Sequence, residues 1–281
     1  MRIHGIAAGV IALCLFALAA SLQAASIIEE TFTAYPDNAL ISADPAGPAA
    51  GLIGNWTLFP ESNFYVNKTE ADDDAGTGKA VYDRPAGDNG ARRATRNTTA
   101  EHVLYETDGD LFYASFLIDP ARAGGDMTFE LELVSLDGGG TVDFSFGISG
   151  GAYIVGNGGI SGVVSGGTVT ADEQLVLVRI EYGDTEGGGL DDNEVVTIWV
   201  DPVDESSPPV IDGVSAELLN SGGGKIASIS IRGDQMDGQP AFFDDLRVGL
   251  SFADVMPATL SLIFADGFEW GTTDLWSSVT P

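Results

Sequence analysis

The chain has 281 residues, with 42 acidic against 12 basic side chains, and a formal net charge of −30. This balance argues against nucleic acid or an anionic membrane surface as a partner, because both attract clustered Lys and Arg. Since 44% of the residues are hydrophobic and 37 are glycine, the composition predicts a folded chain with a large core and many turns.

Residues 1–24 have the pattern of a secretory signal segment. Arg2 supplies a positive start, residues 6–20 form an apolar run, and Leu22-Gln23-Ala24 ends in a small residue suited to cleavage. The run is shorter than the ~20 residues that cross a bilayer, so an N-terminal membrane anchor is the weaker alternative. Cys14 is the sole cysteine, so removal of this segment leaves a chain without disulfides. We therefore expect a bacterial protein that is secreted or exposed at the cell surface.

After residue 24 the chain alternates apolar and polar residues over many short stretches. These stretches are residues 111–118, 127–134, 142–148, 174–182, 194–200, 225–232 and 241–248. Glycine-rich clusters such as residues 137–140 and 221–224 separate them, and no long stretch has a helical stripe. The pattern predicts an all-β fold, an antiparallel sandwich or barrel. We assign residues 25–255 to one β-sandwich domain and residues 256–281 to a C-terminal tail.

Three groups of segments resemble a known family. They are ETFTAYP (residues 30–36) with GLIGNW (51–56), LVLVRIEYG (175–183) with the strand before Asp201-Pro202, and FDDLRVGLSFADV (243–255). Their order and spacing resemble the concanavalin A-like, or laminin-G-like, jelly-roll domains of bacterial exported proteins, over about residues 27–255. The resemblance implies two antiparallel sheets packed face to face, often with a structural calcium. Members include lectins, adhesins, glycosidases and lyases, so this fold does not settle the function.

The C-terminal tail has an aromatic motif of its own. Asp266-Gly267-Phe268-Glu269 is followed by Gly271 and Trp276, and it resembles a short tail at the ends of many exported bacterial proteins. A role in sorting or surface retention is one hypothesis, and a β-hairpin appended to the domain is the other.

Two carboxylates on one predicted strand are candidates for a catalytic pair. Glu130 and Glu132 share a face, opposite Phe129, Leu131 and Leu133. Glycosidases of the concanavalin A-like kind place an acid and a nucleophile in this way, in a Glu-x-Asp-x-x-Glu type of spacing that this chain lacks. We therefore predict a solvated outer face for this strand, with a catalytic pair as the alternative.

Four residues are candidates for ligand binding. Arg92 and Arg93 belong to the one basic cluster, with Arg96 and His102 nearby, where an anionic glycan could dock on a very acidic chain. The alternative is a solvated turn whose charges neutralise their neighbours. Sugar sites also use aromatic rings, and Trp56 and Tyr65 are the candidates, although a buried core ring has the same sequence pattern.

A calcium site is predicted from Glu30 and Asp244. Alternation places Glu30 among apolar neighbours in the first strand and Asp244 on the same face as Leu246 in the last strand, and these strands lie side by side in jelly rolls. Two inward carboxylates without basic partners are costly, and a structural calcium would neutralise them. The alternative is a pair of strand-end carboxylates capped by backbone amides or water.

The sequence therefore predicts a secreted or surface-exposed, non-catalytic β-sandwich that binds carbohydrate or mediates adhesion. An extracellular glycan is the expected partner. One alternative is a polysaccharide-cleaving enzyme, a glycosidase or a lyase. The other is a purely structural extracellular component.

Overall fold

The computed structural model describes residues 26–33, 35, 40–42, 49–59, 64–67, 79–82, 92–120, 125–138, 140–158, 162–183, 194–219, 223–234 and 241–257. The predicted signal segment, residues 1–24, lies outside the described residues. So does the predicted tail, residues 256–281, except for its first two residues.

Strands dominate the described part of the chain, and one short helix follows them. In chain order they are β1 (Ile28–Glu30), β2 (Leu52–Phe59), β3 (Phe64–Asn67), β4 (Lys79–Tyr82), β5 (Arg92–Tyr105), β6 (Leu111–Asp119), β7 (Asp126–Ser135), β8 (Thr141–Ser149), β9 (Ala152–Gly156), β10 (Val164–Gly166), β11 (Gln174–Glu181), β12 (Glu194–Val200), β13 (Ile211–Ala216), β14 (Gly224–Asp234), β15 (Ala241–Gly249) and α1 (Phe252–Val255). No helix in this part of the chain has the length and apolar character needed to cross a membrane.

The strands form two antiparallel sheets. The eight-stranded sheet has the order β13-β12-β11-β6-β15-β4-β3, with β1 beside the second half of β15, and the seven-stranded sheet has the order β10-β9-β8-β7-β14-β5-β2. The prediction of an all-β, two-sheet antiparallel sandwich is confirmed. The first and last strands are neighbours, as expected, with Ile28 opposite Val248 and Glu30 opposite Leu246.

Alternation along the strands builds the core between the sheets. On β7 and β8 the fully buried apolar residues stand at every second position, and they are Met127, Phe129, Leu131, Leu133, Phe144, Phe146 and Ile148. Phe116 of the eight-stranded sheet joins this set, with its ring centroid 5.9 Å from that of Phe129 and 5.2 Å from that of Phe146. Each such ring contributes about 1.5–3 kcal/mol of transfer free energy when it leaves water. Val142 packs against this core as well, whereas Thr128, Glu130 and Ser145 lie on the opposite face.

A bulge in β15 changes the predicted faces of that strand. Asp245 has a positive φ of 48°, and the pairing with β6 shifts register between Asp244 and Arg247. Phe243 and Leu246 consequently both belong to the core, although they are three residues apart. Asp244 directly follows Phe243 and lies on the opposite side from Leu246. The prediction that Asp244 and Leu246 share a face is therefore wrong.

A second apolar cluster covers part of the outer face of the eight-stranded sheet. It consists of Tyr113, Leu177, Trp199, Phe252 and Val255, so the short helix α1 packs on the sheet. The indole N–H of Trp199 donates to the carbonyl of Ser207, and the Arg179 guanidinium lies 5.6 Å from the ring centroid. Trp199 is therefore a packing residue on the outer face of this sheet.

Candidate functional site

The face of the seven-stranded sheet that points away from the core is polar. Strand register arranges its side chains in three rows that run across β8, β7, β14 and β5. The rows are Gly147, Thr128, Arg232 and Arg93; Ser145, Glu130, Ser230 and Thr95; and Asp143, Glu132, Ser228 and Asn97. We call this set the polar rows. They hold both signs of charge among small hydroxyl side chains.

Glu130 lies at the centre of the polar rows and has two arginine partners. Its Oε2 is 3.0 Å from Nε of Arg93, and its Oε1 is 3.9 Å from Nη1 of Arg232. Thr128 donates its hydroxyl to Oε1 over 3.4 Å. The carboxyl group is only 1% exposed, so the two guanidinium groups and their surroundings screen it from water.

Burial dominates the electrostatics of Glu130. It raises the pKa of the Glu130 carboxyl above the usual value of 4.5, because desolvation disfavours the charged form. Arg93 and then Arg232 oppose this rise in pKa through their positive charges, and Asp143 adds to it. The site therefore contains a carboxyl group that accepts a proton more readily than an exposed one.

Arg93, Arg232 and Asp143 are among the side chains of the polar rows that reach solvent. Arg93 is 31% exposed, Arg232 26% and Asp143 41%. Nη1 of Arg93 lies 3.6 Å from Oδ2 of Asp143, so one guanidinium bridges the buried Glu130 and the accessible Asp143. A ligand on this face would meet the two guanidinium groups and the Asp143 carboxylate, together with the exposed Asn97 and the half-buried Glu132.

Hydroxyl groups complete the polar rows beneath the arginines. Thr95 and Ser230 are joined by a hydrogen bond of 2.8 Å between their hydroxyls, and Ser228 donates to Glu132 over 2.8 Å. Ser145 and Ser230 are fully buried. These contacts link β5 to β14 and β14 to β7.

The prediction of a solvated face for Glu130 is wrong in one respect. Glu130 and Glu132 do lie opposite Phe129, Leu131 and Leu133, but the Glu130 carboxylate is buried. The groups that cover it come from β5 and β14, which are far from β7 in the sequence.

The predicted ligand residues fall in different places. Arg93 belongs to the polar rows, and Arg92 precedes it, opposite Gly233. Tyr65 lies opposite Val81 at the edge of the other sheet. The side chains of Arg92 and Tyr65 lie outside the described residues.

Trp56 is a core residue. Its ring stacks on Phe32 with the centroids 5.9 Å apart, and the side chain is almost completely buried. In this position neither face of the ring is open to a sugar, so the prediction of Trp56 as a binding platform is wrong and the core interpretation is the correct one.

The predicted basic cluster is divided by the strand geometry. Arg93 faces outward, whereas Arg96 is buried on the core side, next to Glu30 and Tyr35. His102 lies opposite Ile226, towards the other end of β5. Of this cluster, Arg93 is the residue that the structure brings into the polar rows.

The predicted calcium ligands lie in different environments. Glu30 is buried and pairs with Arg96, and it also accepts the backbone N–H of Phe32 over 3.0 Å. Asp244 accepts the backbone N–H of Asp245 over 2.8 Å on the other side of the sheet. Since Glu30 already has a cationic partner, its burial does not require a metal ion. Within the described ranges no group of three or more His, Cys, Asp or Glu side chains could hold a metal, and calcium binding stays a prediction.

Sequence reasoning missed Arg232 and Asp143 as site residues. Alternation along β14 could have placed Arg232 on the same polar face as Ser228 and Ser230. Alternation along β8 could likewise have placed Asp143 on the same face as Ser145. Their convergence depends on the order β8-β7-β14-β5, which the sequence does not reveal.

No protein-family model matches the chain, and no curated protein matches it in sequence. Solved structures match it in fold. The endo-β-1,4-glucuronan lyase of the fungus Trichoderma reesei is 12% identical, with a TM-score of 0.47, over 79% of this chain and 98% of that one. The alginate lyase vAL-1 of a Chlorella virus is 11% identical, with a TM-score of 0.41, over 70% and 93%. The binding domain of botulinum neurotoxin DC, in complex with SialylT, is 13% identical, with a TM-score of 0.45, over 87% and 52%. These likenesses concern the fold alone.

Proposed function

We propose that this protein binds an extracellular glycan through the polar rows, without catalysing its cleavage. The observation that carries the proposal is the convergence of Arg93 and Arg232, both partly exposed, on the buried carboxylate of Glu130. Together with the adjacent Asp143, these groups form an accessible set of donors and acceptors on an otherwise very acidic chain.

The chemistry of the site suits sugar oxygens. A guanidinium group has five N–H donors in a rigid planar fork, which matches carboxylate oxygens and adjacent hydroxyl groups. Asp143 is the accessible acceptor for sugar hydroxyls. Two arginines partly offset the three carboxylates of the polar rows, so this face offers cationic groups to an acidic glycan on an otherwise very acidic chain. We therefore propose uronate-containing polysaccharides as the first ligands to test.

The described side chains favour binding over lyase chemistry. A lyase needs a general base beside the group that neutralises the uronate, commonly His or Tyr. Among the residues whose side chains are described, no His or Tyr belongs to the polar rows. His102 lies towards the far end of β5 from Arg93.

One observation favours a glycosidase as the second candidate. Glu130 has a raised pKa because of burial, as a general acid requires, and Arg93 also contacts the more exposed Asp143. In that case Glu130 would protonate the leaving group and Asp143 would act as base or nucleophile. Release of reducing sugar from a polysaccharide panel, lost in Glu130→Gln, would establish this candidate in place of the first.

The location of the protein is part of the proposal. The pattern of residues 1–24 supports export, and a glycan-binding or adhesive role at a bacterial surface fits an extracellular sandwich without disulfides. Mass spectrometry of the N-terminus from the culture medium or envelope fraction would test cleavage after Ala24.

The binding test uses matched arginine variants. We expect saturable binding of at least one uronate-containing polysaccharide in affinity electrophoresis and calorimetry, weakened at least about tenfold by Arg93→Gln or Arg232→Gln, which corresponds to ~1.4 kcal/mol. Arg179→Gln is the control, because Arg179 has the same 26% exposure as Arg232 but lies in the other sheet. Equal binding by all variants, or no binding to any acidic or neutral glycan, would reject the proposal.

A further inference from the structure

The cationic part of the polar rows is a single position. Arg93 and Arg232 lie 3.0 Å and 3.9 Å from the same carboxylate, that of Glu130, so their guanidinium groups are close to each other. Two positive charges against one negative charge leave a surplus of one. This balance suits one carboxylate of a ligand and does not extend to a second.

Carboxylates of the protein lie next to this position. Glu132 follows Glu130 by two residues on the same face of β7, and Asp143 of β8 is directly opposite Glu132 in the antiparallel register. Asp143 is 41% exposed, and the half-buried Glu132 accepts the hydroxyl of Ser228. Because Oδ2 of Asp143 is 3.6 Å from Nη1 of Arg93, its negative charge is felt by any group that binds this arginine.

The next outward cation along β14 is distant. Lys225 lies on the outer face, because it directly precedes the core residue Ile226. It is seven residues from Arg232 on this strand, which is roughly 20 Å at about 3.3 Å per residue. In the opposite direction Asp126 and Asp234 end their strands, opposite each other and buried, and they provide no cation. A ligand therefore meets one cationic position over a length of several sugar units.

We propose that the site selects glycans whose uronate units are separated by neutral sugars, and that Asp143 and Glu132 reject chains of consecutive uronates. The inference rests on the proposed function, because it concerns the ligand of the same polar rows. One uronate carboxylate would meet the two arginines, and the hydroxyl groups of the neighbouring neutral sugar would donate to the two carboxylates.

The discrimination is electrostatic. In a chain of consecutive uronates the neighbouring sugar brings a second carboxylate towards Asp143 and Glu132, and like charges at close range repel each other. An unfavourable contact with the wrong ligand gives specificity without any additional contact to the right one. Since Asp143 is partly exposed, salt should weaken the effect.

Three β-1,4-linked oligosaccharides of equal length are the probes. One consists of glucose alone, one has a single glucuronate among glucose units, and one consists of glucuronate alone. The probes share their backbone and linkage and differ in the number of carboxylates, so a difference in affinity reports charge. Calorimetry with the purified protein measures the Kd of each probe at low and at high NaCl concentration.

Two variants and one control assign the discrimination to residues. Asp143→Asn and Glu132→Gln each remove one negative charge and keep an oxygen that accepts a hydroxyl group. Asp212→Asn is the matched control, because Asp212 is exposed on β13 of the other sheet and its replacement changes the net charge equally.

The wild type should bind the single-uronate probe at least about tenfold more tightly than either of the other two probes at low salt. High salt should reduce the difference between the two acidic probes. Asp143→Asn and Glu132→Gln should each narrow that difference at least about threefold, whereas Asp212→Asn should retain the wild-type ratio.

Three results would overturn this inference. They are equal or tighter binding of the all-glucuronate probe by the wild type, no binding of the single-uronate probe, and an unchanged ratio in Asp143→Asn or Glu132→Gln. The proposed function itself falls only when the wider panel of acidic and neutral glycans also gives no binding, so the two failures are distinguishable.

Discussion

Arg96 and Glu30 form an ion pair on the core side of the seven-stranded sheet, with both side chains buried. Nε of Arg96 donates to the carbonyl of Gly54 over 3.0 Å, and Nη1 contacts the Tyr35 hydroxyl over 3.4 Å. Glu30 in turn accepts the N–H of Phe32, a residue with a positive φ of 52°. This network joins β5 to the turn that follows β1.

Replacement of Arg96 by Met should destabilise the protein by about 3–5 kcal/mol, because it leaves Glu30 as an unpaired buried charge. The free energy of unfolding from urea titration measures the effect. Glu30→Gln in the same chain should recover part of the loss, since it removes the orphaned charge. An equal free energy of unfolding for Arg96→Met and the wild type would show that the Arg96–Glu30 ion pair does not stabilise the fold.

The stability of the protein should depend on pH through Glu130. Burial raises the pKa of this carboxyl in the folded state above the 4.5 of an ordinary glutamate. The folded chain therefore binds more protons than the unfolded chain above pH 4.5, and the free energy of unfolding falls as pH rises through the window up to the folded pKa.

Glu130→Gln should reduce that fall, because glutamine stays neutral at every pH. Part of the fall should remain, because burial also raises the pKa values of Glu30, Glu194 and Asp201. Thermal denaturation at steps from about pH 4 to pH 8 measures the slope. Glu132→Gln, on the same strand and face, is measured in parallel as the matched loss of one carboxylate. Parallel profiles for Glu130→Gln and the wild type would contradict the assignment.

Gly147 should tolerate no side chain. Its φ is 152°, and a Cβ would lie 2.1 Å from the carbonyl oxygen of Met127 on the neighbouring strand. Gly147→Ala therefore adds a steric overlap to a strained backbone, which alone costs about 1–3 kcal/mol. Gly138→Ala is the control, because Gly138 also has a positive φ but has open space around it. A smaller loss of Tm in Gly147→Ala than in Gly138→Ala would refute the close approach.

Phe116 should be among the most costly core residues to truncate. Its ring contacts Phe129 and Phe146 of the opposite sheet, and lies 6.2 Å from Phe243 in its own. Phe116→Ala should cost about 3–5 kcal/mol in urea denaturation, because it removes contacts with both sheets and leaves a cavity. Leu111→Ala, at the exposed start of the same strand, should change the stability by less than about 0.5 kcal/mol. A comparable loss in both variants would contradict the central position of Phe116.

Local alternation predicted the strands and their apolar faces well. On β7 the separation of Phe129, Leu131 and Leu133 from Glu130 and Glu132 follows from a period of two, which any regular strand has. The same reasoning failed for Asp244, because the positive φ of Asp245 inserts a bulge that alternation does not contain. Alternation predicts the sheet face on which a side chain lies only where the strand has no bulge.

The candidate site was predicted in part, through Arg93. Its partners Glu130 and Arg232 come from strands that are separated in sequence and become neighbours only in the order β7-β14-β5. Arg96, three residues from Arg93, was grouped with it from sequence proximity, but the strand sends it to the opposite side. Arg93 and Arg96 lie three positions apart on one strand, so alternation puts them on opposite faces. Which side chains of other strands lie beside Arg93 depends on the strand order.

The pairing of β1 with β15 also constrains the time course of folding. Ile28 and Val248 are adjacent in space, although nearly the whole described chain separates them. When the chain emerges N-terminus first, from a ribosome or a translocation pore, β1 cannot pair with β15 until β15 has also emerged. The high contact order of such an arrangement slows folding, so acquisition of the native state is expected to be a late, post-translational event.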